Sequence, residues 1–376
     1  MERRLRKSKK SILLLGPRQT GKSTLIRSLN PSLSINLALE STFLEFARNP
    51  DELPQRLAAG RYKTVCIDAV QRLPTLLNTL QAILDEQKIP PKFYLTGSSA
   101  RKLKRGQANL LPGRVHTYFL GPLTAGELRY EMDAQQALST GTLPGIWTEP
   151  DPREKRKTLR SYASSYLKEE IQAEALTRDI EGFSRFLFVV AAEAGKFLDL
   201  SKLASQAQIP HQSAVRYFEV LEDTLIIRRC NAFSRSPRRR LVQSPRFFFF
   251  DTGVLNGLLG NFIVSPDRIG PLFEHLVFNQ IIHSASAKDA PLEISSYRTE
   301  HGAEVDFIVE RAKEVIAVEV KASSNVGRSD LRGLKSFSEF YGKPHRSVIA
   351  TLGRTAKVLD RVEILPWQAF LKRIGL

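Results

Sequence analysis

The chain has 376 residues, 42% hydrophobic and 25% charged, a balance that fills two or three globular domains and excludes a disordered or fibrous polypeptide. Its 56 basic and 39 acidic residues give a net charge of +17, which points to nucleic acid or another anionic surface as a partner, or to solubility alone. Two cysteines (Cys66, Cys230) without a Cys or His at ligand spacing exclude a disulfide framework and a structural zinc site and fit a reducing cytoplasm, while no apolar run nears the ~18 residues that span a membrane.

The basic N-terminus (Arg3, Arg4, Arg6, Lys7, Lys9, Lys10) runs directly into Ile12–Leu15, an apolar segment too short for a signal peptide and predicted as a buried strand. Leu25, Ile26 and Leu29 predict one face of a following helix. Between them, Gly16-Pro17-Arg18-Gln19-Thr20-Gly21-Lys22-Ser23-Thr24 satisfies every fixed position of the phosphate loop G-x-x-x-x-G-K-[ST]. Backbone N–H groups of such a loop curl around phosphate oxygens at a helix N-terminus. Lys22 is expected to reach the β- and γ-phosphates and the Ser23 hydroxyl to reach Mg²⁺, so ATP and Mg²⁺ are the expected cofactors. A chance glycine-rich turn would not come framed by a strand and a helix.

Leu33–Leu37, Thr64–Asp68 and Phe93–Thr96 predict further strands, with helical spacing between them, as over Leu73–Leu84. Strands alternating with helices imply a parallel sheet covered on both faces. Asp68 ends its apolar strand where a second acidic ligand would complete Mg²⁺ coordination with Ser23; its other reading is a helix N-cap.

Three stretches then carry a resemblance: Asp68-Ala69-Val70-Gln71-Arg72-Leu73-Pro74, Leu95-Thr96-Gly97-Ser98-Ser99-Ala100-Arg101-Lys102-Leu103, and Leu111-Pro112-Gly113-Arg114. Together they resemble prokaryotic AAA-type ATPases that carry a C-terminal domain of unassigned function, DUF4143. The likeness runs over almost the whole chain and is specific only in combination. It implies that Thr96 or Ser98 senses the γ-phosphate. It implies an arginine finger at Arg114 acting on a neighbouring subunit's nucleotide, hence a homo-oligomeric ring, a hexamer by resemblance to AAA-type motors; Arg114 also reads as a surface residue after a turn. Ala69 departs from the family, which has Glu there to polarise the attacking water. A methyl group cannot orient water or accept a proton, so ATP is expected to bind with hydrolysis lost or weak. Ala69 reads either as an introduced substitution that traps ATP, favoured by the otherwise intact pattern, or as a native residue.

Gly141, Pro144, Gly145, Pro150 and Pro152 mark a boundary. A helix with Tyr162, Tyr166, Ile171 and Ala175 on its apolar side follows, then helices over Phe183–Ala194, Leu200–Ala207 and His211–Asp223, the last two joined by the turn Gln208-Ile209-Pro210. That spacing is helix-turn-helix, and strands at Leu225–Arg229 and Arg246–Phe250 would make it winged. Residues 228–246 hold seven arginines (Arg228, Arg229, Arg235, Arg238, Arg239, Arg240, Arg246) and no acid, suiting a duplex backbone. His211, Gln212, Ser213 and Arg216 are the recognition-helix residues able to touch DNA; the alternative is a winged helix used for protein packing.

Asp251-Thr252-Gly253 follows four phenylalanines and resembles the opening landmark of the DUF4143 region, with a structural role. Further on, Glu274 sits on an apolar helix, and the turn Arg311–Glu314 sets Asp306 opposite Glu319. Facing carboxylates repel, so a cation is expected between them. Lys321 shares the face of Glu319. Glu274, Asp306, Glu319 and Lys321 match the PD-(D/E)XK nuclease pattern, in which carboxylates hold a second Mg²⁺ or Mn²⁺. The other reading is a reused fold without activity. The nuclease-like likeness extends to archaeal Holliday-junction resolvases.

The expected architecture is α/β: a P-loop AAA-type parallel-sheet domain at 1–140, a helical linker and winged helix at 141–250, and a nuclease-like α/β domain at 251–376. The expected function is an ATP-dependent DNA motor on duplex or branched DNA, as in branch migration. The alternatives are a nucleotide-switched scaffold without translocation and an ATP-gated metal-dependent nuclease.

Overall fold

The structure, a computed structural model, describes residues 5, 7–98, 111–166, 179–233, 241–312 and 314–376. They pack into two units: Met1–Gly121 with Asp223–Leu225, and Pro122–Glu222 with Ile226–Leu376.

In the first unit, five segments form parallel strands: β1 (Ser11–Leu15), β2 (Leu33–Asn36), β3 (Thr64–Asp68), β4 (Lys92–Gly97) and β5 (Val115–Phe119), in the order β2-β3-β4-β1-β5. Alternate residues serve the two faces. Leu13, Leu15, Val65, Ile67, Phe93 and Leu95 join one cluster; Ile12, Leu14, Cys66 and Tyr94 join another. Helix α1 (Lys22–Arg27) follows the phosphate loop, and Ile26 is buried against the second cluster. Helices α2 (Glu40–Arg48) and α3 (Glu52–Ala58) lie between β2 and β3. Helix α4 (Leu76–Glu86) begins later than the predicted Leu73, because Ala69 turns left-handed (φ 60°) and Val70–Arg72 form a 3₁₀ turn first. Strand β5 was not anticipated: Val-His-Thr-Tyr-Phe lacks an apolar run because it pairs only with β1, at the sheet edge.

In the second unit, α5 (Ala134–Thr140), α6 (Pro144–Trp147), α7 (Pro152–Ser161), α8 (Ile180–Ala192), α9 (Leu200–Ala207) and α10 (His211–Asp223) precede an eight-stranded mixed sheet. The sheet contains β6 (Ile227–Ala232), β7 (Arg246–Phe249), β8 (Glu293–Arg298), β9 (Glu304–Arg311), β10 (Glu314–Lys321), β11 (Arg346–Thr351), β12 (Lys357–Leu359) and β13 (Val362–Pro366), in the order β12-β13-β11-β10-β9-β8-β6-β7. Helices α11 (Thr252–Leu259), α12 (Ile269–Lys288), α13 (Arg332–Tyr341) and α14 (Trp367–Arg373) complete the unit. The two strands expected as a wing do pair, antiparallel, but β6 also pairs with β8, so the hairpin is the end of the large sheet. Left-handed Leu225 (φ 62°) delays β6 to Ile227. Phe307, Val309, Ile316 and Val318 face one core with α12; Ile308, Val315 and Ala317 face another with Leu334 and Phe337 of α13.

Asp251 caps α11 by accepting from Val254 N (3.0 Å), and also accepts from Thr142 N at 2.7 Å. Thr252 donates to the Ala137 carbonyl. A Cβ at Gly253 would lie 2.1 Å from the Thr140 oxygen, so only glycine fits. The Asp-Thr-Gly triplet therefore fastens α11 to the end of α5.

Helix α12 is buried along most of its length, and its polar residues satisfy backbone groups. His275 Nε2 and Asn279 Nδ2 both bond the Phe249 carbonyl, at 2.7 and 2.9 Å, and His283 Nε2 bonds that of Phe250 at 2.9 Å. Gln280 donates to Leu123 O (3.1 Å) and accepts from Ala125 N (2.7 Å).

Burial holds both imidazoles neutral, pushing His275 down to about 4 and His283 to about 3. The unfolded chain, with histidines near ~6.5, takes up these protons first. Stability from this pair is therefore complete above pH ~6.5 and is lost as pH falls toward the folded values, by about 1.4 kcal/mol per pH unit per histidine. Urea midpoints at pH 7, 6 and 5 should fall steadily in the wild type and less steeply in His275→Gln/His283→Gln.

Candidate functional site

The carboxyl ends of β1, β4 and β3 lie side by side, with Leu14 level with Thr96 and Ile67 level with Leu95. Gly21, left-handed at φ 90°, starts α1 without a side-chain cap. Lys22 Nζ donates to the Gly16 and Pro17 carbonyls at 2.8 and 2.7 Å, and Thr20 Oγ donates to Pro17 O at 2.8 Å, which folds the loop over its own lysine. Across the gap, the Thr96 hydroxyl donates to Asp68 Oδ1, and the Ala69 N–H donates to Asp68 Oδ1 (3.1 Å) and Thr96 Oγ (3.2 Å). Gln71 Nε2 donates to Ser98 Oγ at 3.3 Å. These groups surround a cavity of about 370 Å³, lined by Arg18, Gln19, Gly21, Lys22, Ser23, Thr24, Asp68, Ala69, Gln71, Thr96 and Ser98 among others. The fold thus brings together the phosphate-loop residues, Asp68, Thr96 and Ser98 named from sequence. The oxygen donors Ser23 and Asp68 with the amine of Lys22 suit a nucleotide phosphate and its Mg²⁺.

In the second unit, β9 and β10 pair in the expected register, with Phe307 opposite Val318 and Arg311 opposite Glu314. Glu274, Asp306, Glu319 and Lys321 do converge, and a cation does stand among the carboxylates. It is the buried guanidinium of Arg246. Its Nη1 contacts Glu274 Oε1 and lies 3.6 Å from Asp306 Oδ1 and 3.9 Å from Glu304 Oε1. Its Nε donates to Gly195 O at 2.7 Å, and the guanidinium lies over the Phe248 ring. Asp306 Oδ2 accepts from Val320 N at 2.8 Å, and Lys321 pairs with Glu319 at 3.0 Å. Burial first, then the charges of Glu274 and Glu319, hold the Asp306 carboxyl well above the usual carboxylate range. Burial likewise raises Glu319. The guanidinium thus lies against Glu274 and Asp306, two of the residues expected to hold a second Mg²⁺ or Mn²⁺. No cluster of three or more His, Cys, Asp or Glu arranged to hold a metal occurs among the described residues.

Residues 8–129 match the family model of an AAA domain, and residues 269–370 match that of a domain of unknown function, DUF4143. Two separate stretches of the chain are thus similar to an AAA domain and to DUF4143. Between the two, residues 131–263 match a further domain of unknown function, DUF8612. Uncharacterized proteins of Mycobacterium tuberculosis and Mycobacterium bovis are each 27% identical over 322 residues, covering 83% of this chain and 70% of theirs. Among solved structures, the replication initiator DnaA bound to AMPPCP and single-stranded DNA aligns at TM-score 0.26 and 11% identity, covering 57% of this chain and 82% of that one. Can2 from Sulfobacillus thermosulfidooxidans, in complex with cyclic tetra-adenylate, aligns at 0.23 and 9%, covering 96% and 97%. Both scores fall below that of a shared overall fold.

In the AAA domain, Arg114 makes a two-pronged pair with Asp85, Nε to Oδ1 at 2.6 Å and Nη2 to Oδ2 at 2.7 Å, and donates to Pro112 O. A finger reaching another subunit would have to leave this pair. His211, Gln212 and Arg216 are exposed and Ser213 half-buried on the first turns of α10. The basic run after it is corrected in part. Arg246 is committed to the carboxylates, Arg229 pairs with Glu222 (2.7 Å) and lies over Phe218, and Arg228 is half-buried beside His283. Arg235, Arg238, Arg239 and Arg240 lie outside the described residues, as do Ser99–Leu103, Ile171 and Ala175. No described helix is long and apolar enough to cross a membrane.

Sequence reasoning missed Gln71 as a cavity residue and Arg246 as the internal cation. The available signal for Arg246 was one charge opening a strand of phenylalanines.

Arg246→Ala leaves buried carboxylates without their counter-charge and should cost about 3–5 kcal/mol at pH 8, read from denaturant midpoints. In the variant the Asp306 carboxyl, already raised by burial, loses the arginine charge that lowers it, so the folded state binds this proton more readily than the unfolded one. The deficit should therefore shrink as pH falls toward 5.

Proposed function

We propose that the chain binds ATP with Mg²⁺ at the phosphate loop, hydrolyses it slowly, and uses the cycle to act on DNA as an oligomeric AAA-type motor. The observation that carries the nucleotide reading is the convergence of Lys22, Ser23, Asp68 and Thr96 on one cavity at the ends of β1, α1, β3 and β4. Lys22 would exchange its loop carbonyls for phosphate oxygens. Ser23 and Asp68 would hold Mg²⁺, which neutralises charge building on the phosphates. Thr96 fixes the Asp68 carboxylate and would report a γ-phosphate, with Ser98 beside it. Ala69 supplies no water-polarising group, which accounts for slow turnover.

The DNA reading rests on the net charge of +17 and the exposed start of α10, so phosphate contact with little sequence readout is proposed, on duplex or branched DNA. A ring, hexameric by likeness, is proposed with Arg114 as its finger. The intrachain Arg114–Asp85 pair favours a second reading, a nucleotide-switched scaffold without translocation. Arg246 among the carboxylates weighs against the nuclease reading.

Lys22→Ala should abolish ATP binding measured by calorimetry. Ala69→Glu should leave the ATP Kd within a few-fold and raise phosphate release by about 10² or more; equal rates would remove the role given to position 69. Binding to a duplex should weaken steeply and log-linearly with salt if the motor reading is right, whereas no binding at low salt selects the switch.

A further inference from the structure

We propose that Gln71 is a catalytic residue of the ATP site, orienting the attacking water that Ala69 cannot hold. The inference rests on the ATP reading above and names a group that carries turnover within it.

Gln71 lines the cavity that Lys22, Asp68, Thr96 and Ser98 surround. Its carboxamide has two polar ends. Ser98 satisfies one of them, at 3.3 Å; the other is buried without a hydrogen-bond partner. A buried polar atom left unpaired destabilises the fold, so such an atom at a cavity wall is one a ligand or water can satisfy. The terminal torsion of glutamine is soft, so the two ends exchange readily and the unpaired one can turn to the cavity.

The backbone beneath it is held on both sides. Before Gln71, Ala69 is left-handed, with its N–H bonded to Asp68 and Thr96, and Val70 is fully buried. After it, Arg72 donates to the Leu37 and Ala38 carbonyls at 3.0 and 2.9 Å, pairs with Glu40 at 2.6 Å and lies over the Phe43 ring. A 3₁₀ turn pinned at both ends presents its middle side chain in one direction, which is what a water-positioning group needs.

A carboxamide accepts a hydrogen bond but takes no proton. In the step proposed, the water oxygen attacks the γ-phosphorus while the bond to the β–γ bridging oxygen breaks. The electron pair leaves with ADP, and the water proton passes to the phosphate formed. Gln71 aligns the water, as a glutamine does in other P-loop enzymes. Turnover is slow because no carboxylate assists.

The full chain decides this. ATP affinity by calorimetry, phosphate release at saturating ATP and Mg²⁺, and melting temperature are measured for the wild type, Gln71→Ala, Gln71→Glu and Lys22→Ala. The expected result is slow wild-type turnover above the Lys22→Ala background. Gln71→Ala should keep its ATP Kd within about threefold and lose kcat by about tenfold or more. Gln71→Glu should recover turnover and gain a pH–rate limb that falls toward acid, where its carboxylate protonates. A glutamine that only braces Ser98 would shift Kd and melting temperature together with no such limb. Wild-type protein that fails to bind ATP sinks the site and this role with it. Wild type that binds ATP but releases no phosphate above background, or Gln71→Ala with undiminished kcat, overturns the role of Gln71 while leaving the binding site standing.

Discussion

The order β3-β4-β1 is the constraint on which the nucleotide site depends. Parallel neighbours bring their carboxyl ends to one edge, and ligands of open α/β sheets bind outside that edge. Because β4 lies between the loop-bearing strand and the Asp68 strand, its last residues stand between the phosphate loop and Asp68. Thr96 spans that position by bonding Asp68, and the Ala69 N–H ties the same two groups together. A cavity lined by a loop lysine on one side and a restrained carboxylate on the other follows from strand order, with left-handed backbone at Gln19 and Gly21 of the loop and at Ala69.

The second unit solves a different problem, that of burying charge and polar groups in a core rich in phenylalanine. Arg246 enters between Glu274 and Asp306 from a strand otherwise fully apolar, and binds β7 to α12 and β9. Removing the arginine would leave the carboxylates of α12 and β9 buried against one another without their shared counter-charge. Helix α12 does the same for neutral groups, spending His275, Asn279 and His283 on the carbonyls that end β7.

Much of this was legible from sequence where the determinant is local. The phosphate loop, the strand ending at Asp68 and the helix pair before β6 rest on spacing and apolar runs, and each forms close to where it reads. The β9–β10 register follows from a tight turn, which leaves no choice of partner. Helix α4 starts late because the left-handed residue at 69 cannot be read from an alanine, which rarely adopts it. For the basic run 228–246 the residue types alone did not show which of its arginines turn inward, because a list of arginines carries no direction. Arg229 meets Glu222 and Arg246 meets Glu274, a partner 28 residues on.

The sequence by itself determined which residues could meet a phosphate and a metal, since a loop, its lysine and a strand-end aspartate are fixed by residue type and local periodicity. Only the tertiary structure decided that Gln71 lines the same cavity as Lys22, that Arg114 is held by Asp85, and that a guanidinium fills the carboxylate cluster. The reason is physical: pairing of charges and of buried polar atoms depends on distances across elements remote in the chain, and those distances exist only once the sheets have closed their cores.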